Sequence, residues 1–257
     1  MPQTILVIPC FNEASRLRVE VFAEHLQQDL ETDFLFVDDG SRDETPRLLQ
    51  SLAESSGGRI EVISLPGNRG KAEAVRTGMA RALAGDARYA GYFDADLATP
   101  LNELPRLQSV LEERAEIQMV FGSRVQLLGR TIERHRLRHY LGRIFATAAS
   151  EVLGLAVYDT QCGAKLFRSG PSIRELFEDP FLADWVFDVE IIARWIALER
   201  RGDRLPADRV IYEIPLDEWV DVTGSKVRAM DFGRALVEVW RIHRRYLGHK
   251  AKRSAPE

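Results

Sequence analysis

Short β-type segments alternate with helical segments over the first 125 residues, and this alternation constrains the fold more than any other feature. Strands are predicted at 4–8, 34–37, 60–65, 89–93 and 119–121. Helices are predicted between them at 14–30, 43–54, 71–84 and 101–114. Such alternation is typical of β-α-β units with a parallel sheet. We therefore predict an α/β fold, with a Rossmann-like, mostly parallel sheet flanked by helices.

The pattern is looser after residue 125. It predicts a basic helix at 134–153, a strand at 165–168, helices at 172–178 and 188–200, and an extended segment at 209–215. We find no internal repeat and no low-complexity linker in the 257 residues. The predicted organisation is one domain over 1–225, followed by a basic amphipathic helix and tail at 226–257.

Polar residues follow each of the five predicted strands. They occupy 9–13, 38–41, 66–71, 94–99 and 122–124. In open α/β sheets the ligand binds outside the carboxyl ends of the strands. One edge of the sheet is therefore the expected site.

Asp94 and Asp96 follow the fourth strand with Ala95 between them. Two carboxylates at a strand end can face one cation, and oxygen ligands are those that Mg²⁺ or Mn²⁺ prefers. A D-x-D pattern is short and recurs by chance in loops. Its position after a strand is what favours a metal site here.

Two further clusters suggest nucleotide and phosphate binding. Asp39 ends the second strand, where an acidic group can accept hydrogen bonds from a ribose or base; the alternative is a helix N-cap and turn. The segment 68–71 places Arg69, Lys71 and backbone amides at a helix start, which favours an anion. A Walker loop and a glycine-rich loop after the first strand are both absent.

The net charge of −4 is unevenly distributed. Residues 123–143 carry +5 and residues 226–257 carry +6, which leaves −15 on the remainder. Ala229, Phe232, Leu236, Val239, Ile242 and Tyr246 form an apolar stripe on the second basic segment. Two interpretations stay open: a helix packed on the sheet with its arginines in water, or an interfacial helix on anionic lipid.

The sequence lacks the features of disulfide-stabilised and of secreted proteins. Two cysteines are too few for a disulfide framework, and the N-terminus has no signal-peptide pattern. We expect no membrane-spanning segment and no nucleic-acid partner. A cytoplasmic location follows from these expectations.

Eight ordered segments carry a family resemblance. They are IPCFNEASRL, FVDDGSRDET, NRGKAEAV, FDADLATP, GSR at 122–124, DTQCGAKLF, WVFDVE and the late GSK at 224–226. Together they resemble the inverting, metal-dependent family 2 glycosyltransferases of GT-A fold. Within that family the chain is similar to dolichyl-phosphate β-glucosyltransferases and other polyprenyl-phosphate glycosyltransferases.

The resemblance implies a nucleotide-sugar donor held by defined residues. Those expected to bind it are Pro9, Phe11, Glu13, Asp39, Lys71, Asp94, Ala95, Asp96, Arg124 and Lys226. Asp94 and Asp96 would hold Mg²⁺ or Mn²⁺ against the donor diphosphate. Arg124 and Lys226 would lie near the donor phosphates.

The resemblance also implies a polyprenyl-phosphate acceptor. Arg134 and Arg138, together with Gln161, are expected to hold its phosphate, and the catalytic set would comprise Asp96, Arg124, Arg134, Arg138 and Asp159. Many relatives carry membrane anchors, which we do not expect in this sequence, and Ala98 stands where some relatives have a metal-binding Gln. We therefore expect a peripheral enzyme on the cytoplasmic face of the membrane, bound through the basic helix.

The implied chemistry needs no general base. A phosphate monoester is largely dianionic at neutral pH and is already a nucleophile. Single displacement would invert an α-linked donor, most simply UDP-glucose, to a β-glycosyl phosphate. The alternatives are a glycosyltransferase with a soluble or carbohydrate acceptor and a catalytically silent nucleotide-sugar-binding scaffold.

Overall fold

The computed structural model describes residues 2–133, 136–202, 204–222 and 229–248, with 133, 136–141 and 229–232 described only as backbone. The strands are β1 Thr4–Cys10, β2 Thr32–Asp38, β3 Ile60–Ser64, β4 Tyr89–Phe93, β5 Met119–Ser123, β6 Thr131–Glu133, β7 Ala164–Arg168, β8 Ile211–Pro215 and β9 Glu218–Val220. The helices are α1 Val19–Gln28, α2 Thr45–Ser55, α3 Lys71–Leu83, α4 Leu104–Glu113, α5 Arg136–Leu153, α6 Pro171–Glu175, α7 Phe187–Glu199, α8 Ala207–Val210 and α9 Ala229–Ile242.

The main sheet has the strand order β3-β2-β1-β4-β7-β5-β8. Every neighbouring pair is parallel except those that involve β7, which runs antiparallel to β4 and β5. The prediction of a mostly parallel sheet is confirmed. Because β7 is reversed, the residues that precede it lie at the edge where the other strands end. The short strands β6 and β9 form a separate parallel pair.

Helices cover both faces of the sheet, which explains the apolar strand sequences. Every residue of β4 and β5 is buried, as expected for strands enclosed on two sides. Alternate side chains enter different cores. Val7 packs in the core that contains α3 and α7 residues, whereas Leu6 and Ile8 pack in the core with α1, α2 and α4 residues.

Helix α3 lies directly on β1 and β2 because Gly78 has no side chain. A Cβ at this position would lie 2.3 Å from Val7 Cγ1 and 2.9 Å from Val37 Cγ2. The close approach places the start of α3 at the carboxyl edge of the sheet.

The predicted helix over 14–30 is wrong at its start, since α1 begins at Val19. The preceding residues form a turn in which the amides of Arg16 and Leu17 both donate to the Glu13 carbonyl. The amide of Ala14 donates to Asp43 Oδ2, 29 residues away. A tertiary hydrogen bond therefore replaces the first helical turn.

Helix α9 contacts α5 and α7 and continues into a π-helical turn over His243–Leu247. Ala235, Val239 and Ile242 are buried on it. Of the predicted apolar stripe, Val239 and Ile242 are buried whereas Leu236 is 54% exposed, so the stripe is divided between the core and the surface. The separation of a domain at 1–225 from a helix at 226–257 stays a prediction.

Within the ranges that the structure describes, no helix is both long enough and apolar enough to cross a lipid bilayer.

We predict that Gly78→Ala lowers the free energy of unfolding by about 1 kcal/mol or more, because overpacking costs roughly 1–3 kcal/mol and exceeds the gain in helix propensity. The matched control is Gly233→Ala on α9, where a Cβ meets nothing within 4 Å. That control should gain up to about 1 kcal/mol. Urea unfolding measures both, and a stabilised Gly78→Ala would contradict the packing described for α3.

Candidate active site

A cavity of about 470 Å³ opens at the carboxyl edge of the sheet. Most of the residues predicted from the sequence lie on its wall: Pro9, Phe11, Glu13, Asp39, Lys71, Asp94, Ala95, Asp96, Arg124, Asp159 and Gln161. The structure therefore brings the predicted donor-binding residues together with the residues that precede β7.

Three predicted residues cannot be placed in the cavity. Arg134 and Lys226 lie outside the described residues. Arg138 belongs to α5, but its side chain is outside the described part of the chain. Their roles stay predictions.

Asp94 and Asp96 lie just beyond the end of β4, beside two cations. Lys71 Nζ is 2.5 Å from Asp94 Oδ1, and Arg16 Nη1 is 3.8 Å from Asp96 Oδ2. Burial raises the pKa of Asp96, and the Asp94 carboxylate raises it further. Burial alone would lower the pKa of Lys71, but Asp94 and Asp188 outweigh it and raise the value.

Gly163 forms a cradle for Asp94. The Asp94 amide donates to the Gly163 carbonyl at 3.0 Å. A Cβ on Gly163 would lie 2.1 Å from Asp94 Oδ2. The carboxylate thus occupies space that any other residue at position 163 would fill, which fixes its direction.

The pair fits a hard divalent cation in its chemistry, because carboxylate oxygens are suitable ligands for Mg²⁺ and Mn²⁺. Among the described residues, no group of three or more His, Cys, Asp or Glu side chains is arranged to hold a metal. A cation held by Asp94 and Asp96 would need further ligands from water or from a substrate phosphate, which is common for Mg²⁺.

Asp39 holds the loop that leads into α3. Its Oδ1 accepts a hydrogen bond from the Arg69 amide at 2.7 Å, and its Oδ2 accepts one from the Gly70 amide at 2.8 Å. Burial raises the pKa of Asp39. The side chain positions Lys71 as well as lining the cavity.

Arg124 and Asp159 form a two-pronged ion pair on the cavity wall. Arg124 Nε lies 2.6 Å from Asp159 Oδ2, and Nη2 lies 2.7 Å from Oδ1. Burial would lower the pKa of Arg124, but Asp159 raises it, so the guanidinium stays charged. Glu213 accepts the amides of Tyr158 and Asp159 at 2.7 and 2.8 Å and holds this segment in place.

Arg143 was not among the candidate site residues inferred from the sequence. Arg143 lines the cavity, its guanidinium lies 3.9 Å from the Tyr158 ring centroid, and Nη1 donates to the Tyr158 carbonyl at 3.1 Å. The arginine-rich pattern of 123–143 contains no signal that separates this residue from its neighbours.

A buried lysine lies behind the wall. Lys165 is fully buried on β7, and its Nζ is 2.7 Å from Asp188 Oδ1 and 2.6 Å from the Cys162 carbonyl. Tyr92 also donates to Asp188 Oδ1. Asp188 therefore lines the cavity, and its charge is balanced by the buried Lys165.

Comparisons with known proteins identify the family of this chain and several of its relatives. A sequence model of "Glycosyl transferase family 2" matches residues 5–174. The dolichyl-phosphate β-glucosyltransferase of Dictyostelium discoideum is 29% identical over 94% of this chain and 74% of its own length. The human dolichyl-phosphate β-glucosyltransferase is 29% identical over 88% of this chain and 69% of its own length.

Two further proteins are similar, one over a shorter part of the chain and one at lower sequence identity. An undecaprenyl-phosphate 4-deoxy-4-formamido-L-arabinose transferase of Pseudomonas savastanoi is 30% identical over 63% of this chain and 46% of its own length. The glucosyl-3-phosphoglycerate synthase of Mycobacterium tuberculosis, solved with Mn²⁺ and UDP-glucose, superposes with a TM-score of 0.65 at 20% identity. That match covers 94% of this chain and 79% of the synthase, and it confirms the predicted GT-A type of fold.

We predict that neither cysteine reacts in the native protein. Burial raises the pKa of Cys162 to about 11, and burial also raises that of Cys10. The thiolate is the reactive form, so a chromogenic disulfide reagent at about pH 8 should label neither thiol until guanidinium is added. Fast labelling of the folded protein would contradict this burial.

Proposed function

This chain belongs to glycosyl transferase family 2, and from that premise we propose that it transfers a hexose with inversion from UDP-glucose to the phosphate of a polyprenyl lipid. The observation that carries the proposal is one cavity that holds the Asp94 and Asp96 carboxylates together with Arg124 and Arg143. Its similarity to dolichyl-phosphate β-glucosyltransferases over most of the chain supports this acceptor class.

Asp94 and Asp96 would hold Mg²⁺ or Mn²⁺ when the donor binds. Bound there, the cation supplies Lewis-acid stabilisation of the departing diphosphate. The chain contributes the orientation of the two carboxylates, through the Gly163 cradle for Asp94 and the Ala98 amide that donates to Asp96 Oδ1 at 3.1 Å.

Lys71, at the start of α3, would offset the negative charge of the donor phosphates that the cation does not neutralise. Lys71 stays protonated because Asp94 and Asp188 raise its pKa against the effect of burial. Backbone amides at a helix N-terminus also favour anions. Pro9, Phe11, Glu13 and Asp39 would frame the nucleoside at the ends of β1 and β2.

The acceptor phosphate would be held by arginines and attack the anomeric carbon directly. A phosphate monoester has a second pKa near about 6, so it needs no general base at neutral pH. The task of the protein is to hold two anions in line despite their repulsion. Arg143 joins Arg134, Arg138 and Gln161 in the proposed phosphate site, because its guanidinium already lies on the cavity wall.

Helix α9 would place the enzyme peripherally on the cytoplasmic face of a membrane. Leu236, Val237 and Trp240 are 54%, 49% and 57% exposed, and Arg244 lies 5.3 Å from the Trp240 ring centroid. An exposed apolar strip beside arginines fits the boundary between lipid headgroups and acyl chains. This surface differs from the apolar stripe predicted from the sequence.

We predict metal-dependent transfer from UDP-glucose to a polyprenyl phosphate. Purified protein with Mg²⁺ or Mn²⁺ should yield a lipid-linked β-glucosyl phosphate, and chelation should stop the reaction.

Arg143→Ala should raise the acceptor KM at least about tenfold, because a charge-assisted phosphate contact is lost. Its effect on the donor KM should be less than about twofold, since Arg143 is proposed to contact the acceptor phosphate and not the donor.

The product is identified by chromatography and its anomeric configuration by NMR. Transfer only to water-soluble acceptors would contradict the lipid acceptor and favour the first alternative. Binding of UDP-glucose without transfer to any acceptor would favour a silent scaffold.

We predict that Leu236→Ser combined with Trp240→Ser weakens binding to vesicles containing an anionic phospholipid by about tenfold or more, because apolar burial at the interface is lost. The control is Leu30→Ser, which removes a leucine side chain that is 79% exposed and lies outside α9. Co-sedimentation measures both variants. Equal binding of the double variant and wild type would exclude α9 as the membrane contact.

A further inference from the structure

The segment that precedes α7 is held by two buried carboxylates. Glu190 Oε2 accepts the amides of Leu182 and Ala183 at 2.8 and 3.0 Å. Glu238 Oε2 accepts the amides of Trp185 and Val186 at 3.0 and 3.2 Å. Four backbone donors that belong to no helix or strand are thereby satisfied.

Glu238 reaches this segment from α9, more than 50 residues away in the sequence. The residue is only 3% exposed. Its Oε1 accepts a hydrogen bond from Arg234 Nε at 3.0 Å, and Arg234 Nη2 lies 2.5 Å from Asp184 Oδ2. Helix α9 therefore fixes both the backbone and one side chain of the segment.

The same segment forms part of the cavity wall and contacts a predicted substrate-binding residue. Asp184 and Trp185 both line the cavity. The Trp185 carbonyl accepts a hydrogen bond from Gln161 Nε2 at 3.5 Å. A continuous path of hydrogen bonds thus leads from Glu238, through the Trp185 peptide units, to Gln161.

We propose that Glu238 is a positioning residue for the acceptor side of the cavity. It acts through Trp185 and Gln161, and it makes α9 part of the catalytic apparatus as well as a surface for lipid. The inference rests on the proposed function, because the acceptor is the ligand whose placement it governs. Glu238 lies outside residues 5–174, which the family model matches.

On the donor side of the cavity, Lys71 and Asp94 are held in place by residues other than Glu238. Asp39 fixes the loop before Lys71, and Gly163 fixes Asp94. Neither support involves α9. Loss of Glu238 should therefore affect acceptor kinetics far more than donor binding.

The test compares Glu238→Ala and Glu238→Gln with wild type. Glu238→Ala leaves two amides without their charged acceptor, so kcat/KM for polyprenyl phosphate should fall about tenfold or more. The dissociation constant of UDP-glucose with Mn²⁺, measured by calorimetry, should change less than about twofold. Glu238→Gln keeps an oxygen that can accept both amides, so it should recover most of the lost kcat/KM.

The matched control is Glu199→Ala on α7. Glu199 Oε2 also accepts a backbone amide, that of Ala207 at 3.0 Å, in a segment that does not line the cavity. Its kinetics should equal those of wild type even if its stability falls. Hydrogen exchange of peptides covering 182–187 provides a readout that needs no activity. Exchange there should be much faster in Glu238→Ala, which has no acceptor, and slightly faster in Glu238→Gln, whose neutral oxygen makes weaker hydrogen bonds than a carboxylate.

The outcomes separate the inference from the proposed function. A wild-type protein that transfers no sugar to polyprenyl phosphate contradicts the proposed function, and hydrogen exchange then still tests the contact from Glu238. Unchanged acceptor kinetics in a folded Glu238→Ala, or equal losses of donor and acceptor binding, would overturn the inference. If Glu238→Ala does not fold, unchanged exchange at 182–187 in Glu238→Gln would overturn it.

Discussion

The site depends on one repeated interaction, in which a carboxylate accepts the amides of two successive residues, nearly all of them in loops. Backbone N–H groups in loops at the end of a sheet have no strand partner and must find another acceptor. A carboxylate can accept several hydrogen bonds, and a charged acceptor makes them stronger. Within the described residues this arrangement occurs in five segments that line or adjoin the cavity. The carboxylates belong to Asp39, Glu103, Glu190, Glu213 and Glu238.

Three of these carboxylates form ion pairs with arginines, which compensate their negative charge. Glu103, Glu190 and Glu238 pair with Arg106, Arg194 and Arg234, respectively. At the cavity itself, Arg124 pairs with Asp159, and Lys71 pairs with Asp94. Lys71 and Arg124, two of the cations proposed to meet substrate phosphates, are thus held in place by carboxylates before any substrate binds. Such preorganisation avoids reorganising the protein during the reaction. The use of carboxylates to hold loops and cations also explains why the residues outside 123–143 and 226–257 carry a net charge of −15 although the proposed substrates are anionic.

The sequence predicted the features that depend on local pattern. Apolar strands enclosed on both faces are recognisable from their local sequence, and Asp94 and Asp96 lie at the expected edge of the sheet because they follow such a strand. The location of Asp159 beside them required the reversal of β7, which no periodicity encodes. The predicted start of α1 was wrong for the same reason, because the hydrogen bond from Ala14 to Asp43 joins residues that are distant in the sequence. The division of the apolar stripe of α9 between core and surface likewise depends on its contacts with α5 and α7. The contact from Glu238 to Trp185 joins distant residues and leaves no local signal.

The central claim is that Asp94 and Asp96 hold a divalent cation against the donor diphosphate, with Asp94 aimed by the space that Gly163 leaves. Mn²⁺ affinity in the presence of UDP, measured for Gly163→Ala, tests it most directly. Gly170→Ala is the control, because a Cβ there meets nothing within 4 Å. We predict that Mn²⁺ binding weakens by about tenfold or more in Gly163→Ala, as ligand misplacement typically costs, and is unchanged in the control. Wild-type Mn²⁺ affinity in a folded Gly163→Ala would contradict the assignment of the metal site.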